Sequence, residues 1–193
     1  MKTNNVKPTL LNFKTMKNIK HFLLMGMALL IAGTASAQNF RYIGADNCKN
    51  CHNKPEKGAQ YDTWWYNDLH SQALESLSSE KAKEYAKKNG IADASKEAKC
   101  LKCHSTFHAA PENLRDGIKE NEGVSCEGCH GPGSHYRTSA VMRNRNIAVT
   151  RGMVLQTEEL CLKCHNQESP FYKWFDFKRD FERVAHPNLS GAH

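Results

Sequence analysis

The chain has 193 residues, a formal net charge of +7 and a mean hydropathy of −0.68: the size of one domain, but too polar to build a large core from its own side chains. The basic charge suggests nucleic acid, yet most of it resides in the first 37 residues, which hold five lysines and no acid. Without them 22 basic side chains face 20 acidic ones, a net charge of +2, and a nucleic-acid role loses its support.

That first segment reads as a signal peptide over residues 1–37. Lys17 and Lys20 precede the apolar run Phe22–Gly33, too short to cross a bilayer, and Ala35-Ser36-Ala37 has the small-x-small pattern of a signal-peptidase site. Met16 would open a leader of more ordinary length. No cysteine follows the cleavage region to carry a lipid. The reading is therefore an exported, periplasmic domain over residues 38–193 with no stable membrane anchor. An uncleaved anchor is the alternative.

In chain order, a Cys-x-x-Cys-His run comes first, Cys48-Lys-Asn-Cys51-His52. "TWWYNDLHSQALESLSSEKAKEYAKKNG" follows, Thr63 to Gly90, and reads as one long helix with apolar residues near Tyr66, Leu69, Ala73, Leu74 and Leu77. Asn89-Gly90 is its stop signal. Next come Cys100-Leu-Lys-Cys103-His104 and Cys126-Glu-Gly-Cys129-His130, then two loops, "GPGSH" and "MRNRN". "TEELCLKCH" opens a helix on Thr157 as N-cap and carries Cys161-Leu-Lys-Cys164-His165. "SPFYKWFDFKRDFERVAHP" reads as a last helix, with Ser169 as N-cap, Pro170 at the first position and Pro187 as terminator. No segment alternates with strand period. The fold class is mainly α, with little or no β-sheet.

All eight cysteines fall in the four Cys-x-x-Cys-His runs, with none left over. This is the attachment pattern of c-type haem: two sulfurs bond the vinyl edge of a porphyrin, and the next histidine turns under the ring to bind iron. Zinc chemistry requires no histidine after every second cysteine. Thioredoxin-like motifs need a βαβ unit, and disulfides between cysteines two apart are strained. The sequence predicts four haem c groups, held by Cys48, Cys51, Cys100, Cys103, Cys126, Cys129, Cys161 and Cys164, with His52, His104, His130 and His165 as proximal ligands. Four flat apolar macrocycles would also form much of the core that the polar chain lacks.

After residue 37 the only methionines are Met142 and Met153, so histidine is the better supplied sixth ligand, which favours low potentials. The distal candidates are His70, His135 and His186. For each a blander role stands beside ligation: a core histidine for His70, a propionate partner or surface residue for His135, a helix-end surface residue for His186. His135 stands five residues after His130, too close to pass round the macrocycle, and points to a neighbouring haem. His108, four after His104, reads as a polar neighbour of the haem, and His193 as a terminal residue. Three candidates for four irons leave one haem open to a small ligand, with the second, at His104, the choice.

"CKNCH", "DLHSQALESL", "CLKCHST", "GVSCEGCHGPGSH" and "CLKCHN", in that order over residues 42–187, resemble the cytochrome c-554 group of multihaem cytochromes. The resemblance implies a helical tetrahaem electron carrier of the periplasm, its haems packed in close pairs. It also implies His135 as partner of the first haem, His70 of the third and His186 of the fourth, with no protein sixth ligand on the second. The function expected is electron transfer between redox protein partners. The alternatives are reduction of a nitrogen oxide or hydroxylamine at an open second haem, with His108 as the nearest acid, and a haem-bearing subunit of a larger respiratory complex.

Overall fold

A computed structural model describes residues 39–186. The signal peptide, Pro187 and His193 lie outside the described residues. Eleven α-helices are found among the described residues: α1 (Ala45–His52), α2 (Gln60–Asn67), α3 (Ala73–Ser76), α4 (Glu80–Lys88), α5 (Ala98–His104), α6 (Thr106–Ala109), α7 (Cys126–His130), α8 (Ser139–Met142), α9 (Arg145–Thr150), α10 (Glu158–Leu162) and α11 (Phe177–Val184). No strand occurs among the described residues, and the mainly α class expected from the sequence holds.

The long helix expected over residues 63–90 is instead three pieces, α2, α3 and α4. Side chains that bond their own backbone cut it. Asp68 turns extended and its carboxylate accepts from the His70 N–H, while Ser71 Oγ donates to the carbonyls of Trp65 and Asp68. Ser76 Oγ donates to Ala73 O and Ser79 Oγ to Ser76 O, and Ser79 then accepts from Ala82 N to cap α4. Tyr66 and Leu69 are accordingly exposed rather than part of one buried stripe. The stop at Asn89-Gly90 is as expected: Asn89 closes α4 and Gly90 takes the left-handed φ of 69°.

Two further expectations fail locally. The last helix begins at Phe177, not near Ser169, because Asp176 accepts from Arg179 N and provides the cap. "MRNRN" is not a loop throughout but the seam between α8 and α9, where Asn144 caps Ile147 N. "GPGSH" contains a 3-10 turn over Gly133–His135. Thr157 does cap α10, accepting from Leu160 N.

The polypeptide's own core is small. One cluster is Leu77, Ala82, Ala86, Ala94 and Leu101, with Cys100 of the second motif packed on it. The other is Ala45, Tyr61 and Trp64, with Cys126 of the third motif against it, and Trp64 Nε1 donates to Val124 O at 2.9 Å. Trp65, Leu69, Leu162 and Trp174 remain exposed. Large apolar side chains left uncovered by the chain call for apolar cover from elsewhere.

Residues 122–127 thread through the middle and tie the halves together. Val124 N donates to His70 O, Thr106 N to Gly123 O and Ser125 N to Thr106 Oγ1. Gly123 passes so close that a Cβ there would lie 2.6 Å from the His70 carbonyl oxygen, so only glycine fits. Glu127, 2% exposed, accepts from the backbone N–H of Ile43, Gly44 and Gly133, and Glu122 accepts from Ala45 N. These carboxylates pin the start of α1 against α7.

Candidate haem-binding sites

The first three Cys-x-x-Cys-His runs each end a helix at the histidine: α1 at His52, α5 at His104, α7 at His130. A cation or polarised imidazole is favoured at a helix C-terminus. In the fourth run α10 carries Cys161, and a further turn (His165 N to Cys161 O, 2.9 Å) brings the histidine round. None of the eight cysteines is paired in a disulfide in this structure. Among the described residues no three His, Cys, Asp or Glu side chains converge to hold a bare metal ion.

The runs are brought together in a line. Cys126 hydrogen-bonds Cys48, and this contact, with burial, pushes the Cys126 thiol far above its ordinary range. Cys164 is raised to about 12 by burial and by Cys103 beside it. Cys129 is raised to about 11 by burial, with Cys161 and Asp68 adding to it. First and third runs thus adjoin, second and fourth adjoin, and third and fourth link the two pairs.

Ring contacts pick out two histidine pairs. His130 and His186 stand 5.9 Å apart, centre to centre, and His70 and His165 stand 5.8 Å apart with planes at 90°. Two imidazoles sharing one metal at about 2 Å each place their ring centres roughly 6 Å apart. The residues therefore fit an iron held between each pair. The resemblance implied another pairing, with His70 at the third run and His186 at the fourth. The reason is local: α11 carries His186 to α7, whereas the turn at Asp68 presents His70 to His165.

The ring nitrogens are organised from behind. His52 Nδ1 faces Gln60 Oε1 at 3.2 Å and His104 Nδ1 faces Ala73 O at 2.7 Å, so Nδ1 carries the proton and Nε2 is left with a lone pair. The Gln156 amide lies 3.0 Å from His130 Nδ1 and donates to Cys129 O. His70 Nδ1 lies 3.0 Å from Asp68 Oδ1. Burial opposes ionisation of Asp68, but the hydrogen bonds from His70 outweigh it and hold the carboxyl below its usual range. His130 is lowered to about 4, first by burial and then by His186 and His52, so it is a neutral donor at ordinary pH. His186 is lowered for the same first reason, and its Nδ1 is buried without a hydrogen-bond partner among the described residues.

His135 is exposed, edge-on to Phe40 at 5.0 Å. Its segment is fastened to the chain leading into the first run: Ser134 N donates to Arg41 O, Arg41 N to Ser134 Oγ, and Arg137 to Asn47. His104 contacts Ala73 and Ser76 rather than a second imidazole. His108 is not on the same helix as His104, because Ser105 is extended between α5 and α6 and caps His108 N. Its Nδ1 meets Ser105 Oγ at 3.0 Å, and Nε2 lies 3.7 Å from Glu120. A cleft of about 1180 Å³ beside the second run is lined by Leu101, His108, Glu120, Leu74 and Trp65.

A family model for cytochrome c554 and c-prime matches residues 47–131. That span holds the first three runs and both central carboxylates. The resemblance is to the cytochrome c-554 family, and it is borne out. Cytochrome c-554 of Nitrosomonas europaea is 26% identical over 152 residues, covering 70% of this chain. The match spans 62% of that relative's length. The structure of reduced cytochrome c554 from the same organism aligns at a TM-score of 0.49 with 24% identity, over 75% of this chain and 78% of that one. The family match over the first three Cys-x-x-Cys-His runs supports haem c as the bound group. No helix among the described residues is long and apolar enough to cross a membrane.

Asp68, Gln60, Gln156, Glu122 and Glu127 were not singled out by sequence reasoning. Two left a trace. Asp68 stands two before His70, the spacing of an Asx turn. Glu127 is the one acid among the eight residues inside the Cys-x-x-Cys brackets.

Proposed function

We propose that the chain, exported and freed of residues 1–37, is a periplasmic tetrahaem electron carrier serving redox protein partners. Cys48, Cys51, Cys100, Cys103, Cys126, Cys129, Cys161 and Cys164 would bind four haems. His52, His104, His130 and His165 are the proximal ligands. His186 completes the third site and His70 the fourth, and His135, fastened to the first run's leading segment, is assigned to the first. Bound haem supplies a one-electron iron couple at each site.

The observation that carries this reading is the contiguity of the four runs through Cys48–Cys126, Cys129–Cys161 and Cys164–Cys103. Tunnelling falls steeply with distance, so a useful wire needs neighbours in near contact. This chain arranges them second, fourth, third, first. Imidazoles held from behind by Gln60, Asp68 and Gln156 keep their places when charge changes, which keeps reorganisation small. Spectroelectrochemistry of the mature protein should register four one-electron steps, with exchange to a redox partner slowing as salt rises. Fewer than four haems by intact mass would end the tetrahaem reading.

A second reading, reduction of a nitrogen oxide or hydroxylamine at the second site, is favoured by one observation. The cleft beside Leu101 is lined by His108 and Glu120, which could relay a proton, and among the described residues His104 meets no second imidazole ring. Carbon monoxide binding to one ferrous haem would support it, and a protein that binds neither carbon monoxide nor nitric oxide would rule it out.

A further inference from the structure

We propose that Asp68 sets the reduction potential of the fourth haem site, by holding His70 and loading its ring with negative charge. The inference rests on the ligand assignment above and goes beyond it in ranking the four sites.

The partners behind the assigned ligands differ in kind. His52 is backed by the amide oxygen of Gln60, His104 by the Ala73 carbonyl and His130 by the Gln156 amide, all neutral. Among these four, His70 alone is backed by a carboxylate of the described residues, 3.0 Å from its Nδ1. That carboxylate is fixed: Oδ1 also accepts from the His70 backbone N–H at 3.0 Å, and the Asp68 side chain is only 14% exposed. A half-screened site of this kind leaves little water to dilute the charge.

An anion behind a ligating imidazole draws its Nδ1 proton and makes the opposite nitrogen a stronger donor. A stronger donor stabilises the ferric state, so the iron between His70 and His165 becomes harder to reduce than its neighbours. Asp180 acts on the same pair from the His165 side, but its charge is already matched by Arg179 at 2.6 Å. Asp68 also acts on His186 and Cys129, so its field reaches the third site more weakly. The wire would then carry its lowest potential at an inner position, between the second and third sites. Asp68 is a positioning residue: it touches the ligand, not the iron.

The test uses the mature holoprotein and two variants. Asp68→Asn keeps an acceptor oxygen at 68 and removes the charge; His70→Ala identifies the fourth site as the haem that turns high-spin. Spectroelectrochemistry of Asp68→Asn should show one haem, that same one, raised by about a tenfold change in its reduction equilibrium, about 59 mV for one electron, with a smaller rise at one neighbour. The spin state of each haem should be the same as in the unaltered protein. As a measurement independent of the Asp68 variant's maturation, electron paramagnetic resonance of the unaltered protein should contain one low-spin signal that is lost in His70→Ala. Unchanged potentials in Asp68→Asn, or a largest shift at a different haem, would overturn the proposal. If His70→Ala turned no further haem high-spin, the ligand assignment itself would fall, a separate failure.

Discussion

The ring of His186 lies 5.9 Å from that of His130, although α7 and α11 stand far apart in the chain. Under the proposed assignment this contact would close the third site with a residue from the end of the described chain, while His70, from the turn after α2, would close the fourth. The third and fourth sites each depend on two distant segments meeting, so their integrity reports on the whole fold.

Removing one imidazole from each pair tests the pairing. His186→Ala and His70→Ala should each convert one haem from low to high spin, seen in the visible spectrum and by electron paramagnetic resonance. His108→Ala should convert none. In a chain whose third run is disabled by Cys126→Ser and Cys129→Ser, His186→Ala should add no further high-spin haem. An added signal there would place His186 at another iron.

Gly123 makes a steric prediction. A Cβ on it would lie 2.5 Å from the Ser71 carbonyl oxygen and 2.6 Å from that of His70. Gly123→Ala should therefore cost about 1–3 kcal/mol of stability by overpacking and displace His70. Guanidinium unfolding of the holoprotein reads the first effect, and weakening of one low-spin signal reads the second.

Glu127 should matter more than any surface acid. Replacing it by alanine strands the N–H groups of Ile43, Gly44 and Gly133 in a buried place, and unsatisfied buried donors cost about 1–3 kcal/mol each. Glu127→Ala should lose on the order of 3 kcal/mol or more and lower the yield of fully loaded protein. Glu127→Gln, which keeps one acceptor oxygen, should lose less. Denaturant midpoints of the two variants order the effects.

Acid should attack the third site late. The folded value of His130 is depressed from 6.5 to about 4 by burial and by His186 and His52. A depressed value contributes stability that is present above the unfolded value, near 6.5, and lost as pH falls through the folded one. Iron on Nε2 competes with the proton and moves the loss lower still. The low-spin band of the third site should therefore survive at pH 5 and collapse at about pH 4 or below, followed by absorbance during an acid titration.

What the sequence determined by itself was chemistry of short range. Two sulfurs and an imidazole on a single turn need only five consecutive residues, so Cys48–His52, Cys100–His104, Cys126–His130 and Cys161–His165 point to haem attachment without any knowledge of the fold. The helical class and the cap at Thr157 were legible for the same reason, since their causes are local. The long helix was misread where serines and Asp68 prefer to bond their own backbone, a competition that hydrophobic periodicity does not register. Only the tertiary structure decided which histidine faces which. The partners of His130 and His165 come from α11 and from the turn at Asp68, and spacing along a chain carries no record of which distant segments meet. It also decided the second line of contacts, Gln60, Asp68 and Gln156 behind the rings and Glu127 beneath α1, because a polar side chain gains its role from burial, and burial is a property of the folded whole.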